Sequence, residues 1–336
     1  MAFVVCYNIG KIIFIKLGGI KMSFLILIIG FFFLIKGADM FVEGAASIAR
    51  KFNVPAMIIG LTIVAMGTSA PEAAVSITSS LAGQNDMSVA NVVGSNFFNI
   101  LVVLGVSSII AKLPVQRNTI KKDAPFLLLV SALLLLFGLN LNINRIEGLI
   151  FLAVFTYFLV DTVKSAKKSS QETANEAATT MDIEVAEESS MPKTILLSII
   201  GVVGIVLGGD MVVNSATDIA TSFGMSANLV GLTIVAVGTS LPEFVTSVVA
   251  IRKGETEIAI GNVIGSNIFN ILLVLGLAAT ISPITISTLA LIDVLFMVAI
   301  TVLLYFFMKK DNSLVKSQGI IFLVIYVAYM AYTIIR

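Results

Sequence analysis

The chain has 336 residues, 58% hydrophobic and 12% charged, with a formal net charge of +1 and a mean hydropathy of +1.05. A soluble domain is about a quarter charged, so this composition marks a polytopic membrane protein, and no basic tract suits nucleic acid. Histidine is absent and Cys6 is the single cysteine, which excludes Ser-His hydrolases, zinc proteases, His-held haem, iron–sulfur clusters and disulfide frameworks.

Taken in order, Met1 to Lys21 form a short apolar stretch interrupted by Lys11, Lys16 and Lys21. Met22-Ser23 directly precedes the first good span, so residues 1–22 are expected to be an extension outside the native start. About ten spans follow. The first half holds Phe24–Ile48, Val54–Leu81, Ser88–Ala111, Ala124–Leu141 and Ile146–Val163. The second holds Thr194–Ala220, Ala227–Ile251, Ile258–Ile281, Ile286–Met308 and Gln318–Ile335. The expected division is a first five-helix unit over 23–165, an acidic linker over 166–193 and a second five-helix unit over 194–336. The linker carries Glu172, Glu176, Asp182, Glu184, Glu187 and Glu188 and reads as solvated chain. It has no EF-hand pattern.

An internal repeat dominates the sequence. Gly37 to Gly105 align without a gap onto Gly208 to Gly276, 171 residues on, with about half the positions identical. Lys and Arg gather in alternate loops, among them Arg50, Lys51, Lys121, Lys122, Lys167, Arg252, Lys253, Lys309 and Lys310. Only Arg145 and Arg336 fall on the opposite side. That bias places the linker in the cytoplasm and both ends outside. Five spans per half is odd, so the repeats lie inverted, with a binding site expected near the midplane.

Two motifs carry the chemistry. Gly67-Thr68-Ser69-Ala70-Pro71-Glu72 and Gly238-Thr239-Ser240-Leu241-Pro242-Glu243 each interrupt an apolar span. Proline breaks the helix and frees carbonyls around Ala65 and Thr68 in one repeat, and Ala236 and Thr239 in the other. A carboxylate beside such a break is costly in hydrocarbon unless it faces a cavity and binds something. Ser95 and Asn99 lie four apart on one face of the next span, as do Ser266 and Asn270. Gly94, beside Ser95, is expected to allow close helix approach. With the Thr68, Ser69, Thr239 and Ser240 hydroxyls these make an all-oxygen site of charge −2, suited to hard cations such as Na⁺, Ca²⁺, Mg²⁺ or Mn²⁺. It can neutralise one Ca²⁺ or two monovalent ions. Two symmetric glutamates beside two prolines weigh against mere interhelical packing.

These motifs, with Gly94-Ser95-Asn96 and its copy at Gly265, resemble the alpha repeats of the calcium/cation antiporter superfamily, in particular the sodium/calcium exchangers and their potassium-dependent relatives. The resemblance covers roughly Phe24 to the end. It implies an all-α ten-helix fold whose first and sixth helices slide against the other eight, and antiport exporting Ca²⁺ by alternating access. It implies that Glu72 and Glu243 hold Ca²⁺ with the Thr68 and Thr239 carbonyls. Sodium would use Ala65, Ser69, Glu72, Ser95, Ala236, Ser240, Glu243 and Ser266, with Thr68, Thr239 and Asn99 nearby. Many exchangers carry Asp where this chain has Asn270, which argues against potassium co-transport. A Ca²⁺/H⁺ antiporter is the alternative, and a cation channel, which would need an oligomeric pore, is a rival from another class. No cofactor and a monomeric state are expected. Paired Asp39 and Asp210 could suggest an intramembrane aspartyl protease, but Leu207-Gly208-Gly209-Asp210 lacks the GxGD pattern. Anchors or gating contacts on the sliding helices fit them better.

Overall fold

The computed structural model describes residues 2–81, 85–177, 191–225 and 236–335; for 2–20, 85–87, 172–177, 236 and 334 only the backbone is described. Residues 178–190 of the acidic linker and residues 227–235, which open the seventh span, lie outside the described residues.

Helix α1 (Ala2–Lys51) crosses the membrane over Lys21–Lys51. It runs back to Ala2 without a break, where the sequence suggested little structure before Met22. Helices α2 (Ala56–Thr68) and α3 (Ala70–Leu81) form one span bent by 48°. Then come α4 (Ser88–Ile110), α5 (Ala124–Gly138) and α6 (Arg145–Ala177). The second half repeats the order with α7 (Met191–Ser222), α8 (Leu241–Arg252), α9 (Thr256–Ile281), α10 (Thr288–Asp311) and α11 (Lys316–Ile335). Among the described residues six helices are individually long and apolar enough to span, seven with the bent pair. Helix α5 falls short of that length at 15 residues, and a π-turn, Thr119–Asp123, lengthens it.

Burial ranks these helices. In the most apolar window of α9, 94% is buried, and of α4 72%, against 33% for α1 and for α7. The two repeat helices that follow the breaks are therefore the centre, and α1 and α7 the flank. On α1 and α7 large apolar side chains such as Ile28, Phe32, Leu196 and Val203 face outward, as a lipid-facing surface requires.

Without a hydrophobic drive between helices in lipid, close packing needs small residues. Gly37 of α1 sits so near α7 that an added Cβ would lie 2.6 Å from the Ile205 nitrogen, and at Gly208 of α7 it would lie 2.4 Å from that of Leu34. Helices α1 and α7 thus meet backbone to backbone.

Two short ladders stitch the halves together. Strand β1 (Leu113–Pro114) pairs antiparallel with β4 (Ser313–Leu314), and β2 (Asn142–Ile143) with β3 (Ile284–Thr285). The 171-residue offset carries Leu113 onto Ile284 and Ile143 onto Leu314. The pair Leu113–Leu314 therefore maps onto Ile284–Ile143, which is the other ladder. The fold is an all-α polytopic membrane protein of two inverted repeats.

Candidate ion-binding site

The break in each repeat falls on a serine. Ser69 has φ −82° and ψ 7°, and Ser240 has φ −91° and ψ 5°. Both values belong to the bridge region, off the helical basin. Pro71 and Pro242 follow in the first turn of α3 and α8, where a missing N–H costs no helical bond. Glu72 and Glu243 sit in those same first turns, at the end of the helix whose dipole favours a carboxylate.

The repeats then exchange serines. Ser69 Oγ donates to Glu243 Oε1 at 2.9 Å, and Ser240 Oγ donates to Glu72 Oε1 at 3.2 Å. Ser266 Oγ adds a bond to Glu243 Oε1 at 3.3 Å. Both glutamates are fully buried. Each leaves its second oxygen, Oε2, buried with no hydrogen-bond partner. A lone pair buried in this way is a strong reason to look for a cation.

Asparagines complete the ring. Asn99 Nδ2 donates to Asn267 Oδ1 at 3.0 Å, and Asn270 Nδ2 to Asn96 Oδ1 at 3.3 Å. Asn96 and Asn267 donate in turn to each other's backbone carbonyls at 3.4 and 3.5 Å. With their NH₂ groups so engaged, Asn99 and Asn270 keep Oδ1 free, and both atoms are buried without a partner. Ser95 Oγ is in the same position. The site therefore offers oxygen donors only, two of them charged, which is the donor set of a hard cation.

The expected residues are placed as follows. Thr68, Ser69, Glu72, Ser95, Asn99, Ser240, Glu243, Ser266 and Asn270 are all buried at the centre. Thr239 is only partly buried. The Ala65 carbonyl accepts the Ser69 N–H at 3.0 Å, so one of its two lone pairs is already used by the helix. Ala236 opens the turn Ala236–Gly238, and its side chain lies outside those described. At Gly94 nothing among the described residues lies within 4 Å of an added Cβ, and Leu232, the copy of Leu61, lies outside the described residues. Its copy Gly265 makes the close approach, with 2.5 Å from such a Cβ to the Leu61 carbonyl oxygen.

Sequence reasoning passed over Asn91, Asn96, Asn262 and Asn267 as site-building residues. The signal was present for two of them. Asn91 lies four residues before Ser95, and Asn262 four before Ser266, so each extends the polar stripe by one turn.

Away from the centre, Lys253 Nζ bridges Asp39 at 2.9 Å and Glu43 at 3.1 Å, and Arg50 pairs with Glu255 at 3.0 Å. These ties join α1 to the end of α8. Partial burial lowers the Lys253 ammonium's affinity for its proton, but the bonds and charges of Asp39 and Glu43 prevail and hold its pKa above the ordinary value.

Known proteins share the same outline. A family model described as sodium/calcium exchanger protein matches residues 22–163 and 193–335. The inner membrane protein YrbG of Escherichia coli is 36% identical over 265 residues, covering 79% of this chain and 82% of that one. The sodium/calcium exchanger MaX1 of Methanosarcina acetivorans is 32% identical, covering 93% and 98%. A solved structure of the sodium-calcium exchanger NCX_Mj, soaked with Na⁺ and Sr²⁺, superposes with a TM-score of 0.81 at 32% identity, covering 93% of this chain and 99% of that one.

Proposed function

The chain belongs to the sodium/calcium exchanger protein family and is a cation antiporter, and on that premise we propose that it exports Ca²⁺ in exchange for Na⁺ through the two-glutamate site. The observation that carries this is the pair of buried glutamates, each fixed by the other repeat's serine and each with one oxygen free. A fixed charge of −2 is neutralised by one Ca²⁺ or by two Na⁺. Both cannot occupy the same carboxylates, so binding of one ion expels the other.

The ligand set is the one the family resemblance implies, and the unpartnered buried oxygens of the site support it. Glu72 and Glu243 would hold Ca²⁺ with the Thr68 and Thr239 carbonyls. Sodium would use Ala65, Ser69, Ser95, Ala236, Ser240 and Ser266 beside the glutamates. Asn99 and Asn270 contribute neutral oxygens, which supports a site of two charges rather than three.

Alternating access would come from the flank. Helices α1 and α7 pack on each other through glycines and are less buried than the central α4 and α9, so they can slide together against a firm core. The Lys/Arg bias supports an orientation with the linker in the cytoplasm and both ends outside.

The test is radioactive Ca²⁺ uptake into proteoliposomes loaded with Na⁺, with and without an outward Na⁺ gradient. Uptake that requires the gradient is expected. Uptake driven instead by a pH gradient would move the protein to Ca²⁺/H⁺ antiport. Downhill Ca²⁺ flux without any counter-ion would make it a channel.

A further inference from the structure

Each glutamate of the site has its backbone carbonyl bonded by an uncharged side chain, Asn262 for Glu243 and Asn91 for Glu72. Asn262, fully buried on α9, uses three of its hydrogen-bonding positions on three different neighbours. Its Nδ2 donates to Ser247 Oγ at 3.1 Å and to the backbone carbonyl of Glu243 at 3.4 Å, both on α8. Its Oδ1 accepts the Thr68 hydroxyl at 3.0 Å, from the end of α2 in the opposite repeat. The carbonyls of Val64 and Ala65 lie farther from that hydroxyl, at 3.2 and 3.4 Å. A hydroxyl has one hydrogen to give, and Asn262 is its nearest acceptor.

The repeat gives the same brace on the other side, more loosely. Asn91 Nδ2 donates to Ser76 Oγ at 2.9 Å and to the Glu72 carbonyl at 3.3 Å. Its Oδ1 receives the Thr239 hydroxyl at 3.5 Å. So the bonds within a repeat match to about 0.2 Å, while the bond between repeats is half an ångström longer on one side.

We propose that Asn262 and Asn91 are positioning residues that cross-brace the ion site, each pinning its own repeat's glutamate helix to the threonine at the opposite repeat's break. The proposal rests on the ion-binding reading of that site. The brace fixes where the Thr68 and Thr239 carbonyls stand relative to the carboxylates, so its loss spreads the donors and weakens ion binding. With Asn262 holding the tighter bond, its loss has the larger effect. The bond is also the link through which a shift of one break is felt at the other repeat's glutamate.

Two measurements test this in Asn262→Ala, Asn91→Ala, Thr68→Val and the Asn262→Ala/Thr68→Val double variant. The first is hydrogen–deuterium exchange of the peptide covering residues 64–70, in lipid nanodiscs without added ions. Asn262→Ala and Thr68→Val should each speed exchange there about tenfold, with no further change in the double variant, since both remove the same bond between Thr68 and Asn262. The second is Ca²⁺ uptake kinetics. Asn262→Ala should raise KM for Ca²⁺ about tenfold with Vmax within twofold, and Asn91→Ala should raise it about threefold. Unchanged exchange, additive effects in the double variant, or a fall in Vmax at constant KM would each overturn the brace. If the wild type carries no Ca²⁺ in exchange for Na⁺, the functional reading fails, and the exchange measurement still decides the brace.

Discussion

The centre of this molecule and its Lys/Arg-rich end treat the internal repeat in opposite ways. At the centre, the polar residues keep their copies, and most keep the role: Ser69 with Ser240, Asn99 with Asn270, Asn96 with Asn267, while Ser266 bonds Glu243 and its copy Ser95 has no hydrogen-bond partner among the described residues. At the Lys/Arg-rich end the copies differ. The 171-residue offset sets Lys253 against Ala82, Glu43 against Asn214, Glu255 against Gln84 and Arg50 against Thr221. A site that must bind the same ion from two sides has reason to keep its symmetry. The surfaces that open in turn face different solutions and have none.

The comparison is broken most severely by removing a site charge. Glu72→Gln and Glu243→Gln should each abolish Na⁺-driven Ca²⁺ uptake, by at least about 100-fold or ~3 kcal/mol, the scale of stripping one partner from a buried charged group. The two losses should match. A residual rate in one variant above a tenth of wild type would show that the carboxylates are unequal.

A subtler break adds charge. Asn99→Asp and Asn270→Asp each put a third carboxylate where a neutral Oδ1 now stands. Tighter Ca²⁺ binding acts mainly through slower release, so each variant should lower KM for Ca²⁺ and cut Vmax, both by about tenfold. Kinetics that differ more than about twofold between the two would show that the asparagines are not equivalent.

How much of this was legible in the residues follows the same division. The motifs at Thr68 and Thr239 named the broken helices, the glutamates and the serines, because a proline breaks a helix and a lone carboxylate in an apolar run is costly unless it binds something. The apolar runs read as about ten spans, and among the described residues six helices, seven with the bent pair, are long and apolar enough to cross. What the sequence could not give is pairing between repeats: that Ser69 serves Glu243 rather than its neighbour Glu72 depends on how the inverted halves interleave. That Gly265 packs against the Leu61 backbone in the other repeat was equally illegible, since a close approach is settled by the partner as much as by the glycine. Likewise Asp39 read as an anchor without revealing that Lys253, some two hundred residues away, holds it.

The smallest effect sharpens the comparison most, because it addresses what the asymmetry is for. Lys253 and Arg50 tie α1 to the end of α8 through partly exposed pairs, and such pairs contribute about 0–1 kcal/mol each. Lys253→Gln should cost ~1 kcal/mol in stability, and the loss should not vary between pH 5 and 9. A raised lysine pKa keeps its stabilisation at all pH values below the unfolded pKa and loses it only as pH climbs through the folded one. In the proposed cycle α1 moves past the core, so the tie favours whichever access state preserves it. Releasing ~1 kcal/mol shifts that equilibrium about fivefold. Hydrogen–deuterium exchange over residues 50–56 should then speed by about that factor in Lys253→Gln. Adding Ala82→Lys in the same chain puts a cation at the position the repeat offset matches to Lys253, as Asp210 matches Asp39. If one-sided charge sets the bias, the double variant keeps the fast exchange at 50–56 and slows it around Asp210. If exchange at 50–56 is unchanged in Lys253→Gln, the tie is surface decoration and the bias must lie in the packing of α1 against α7.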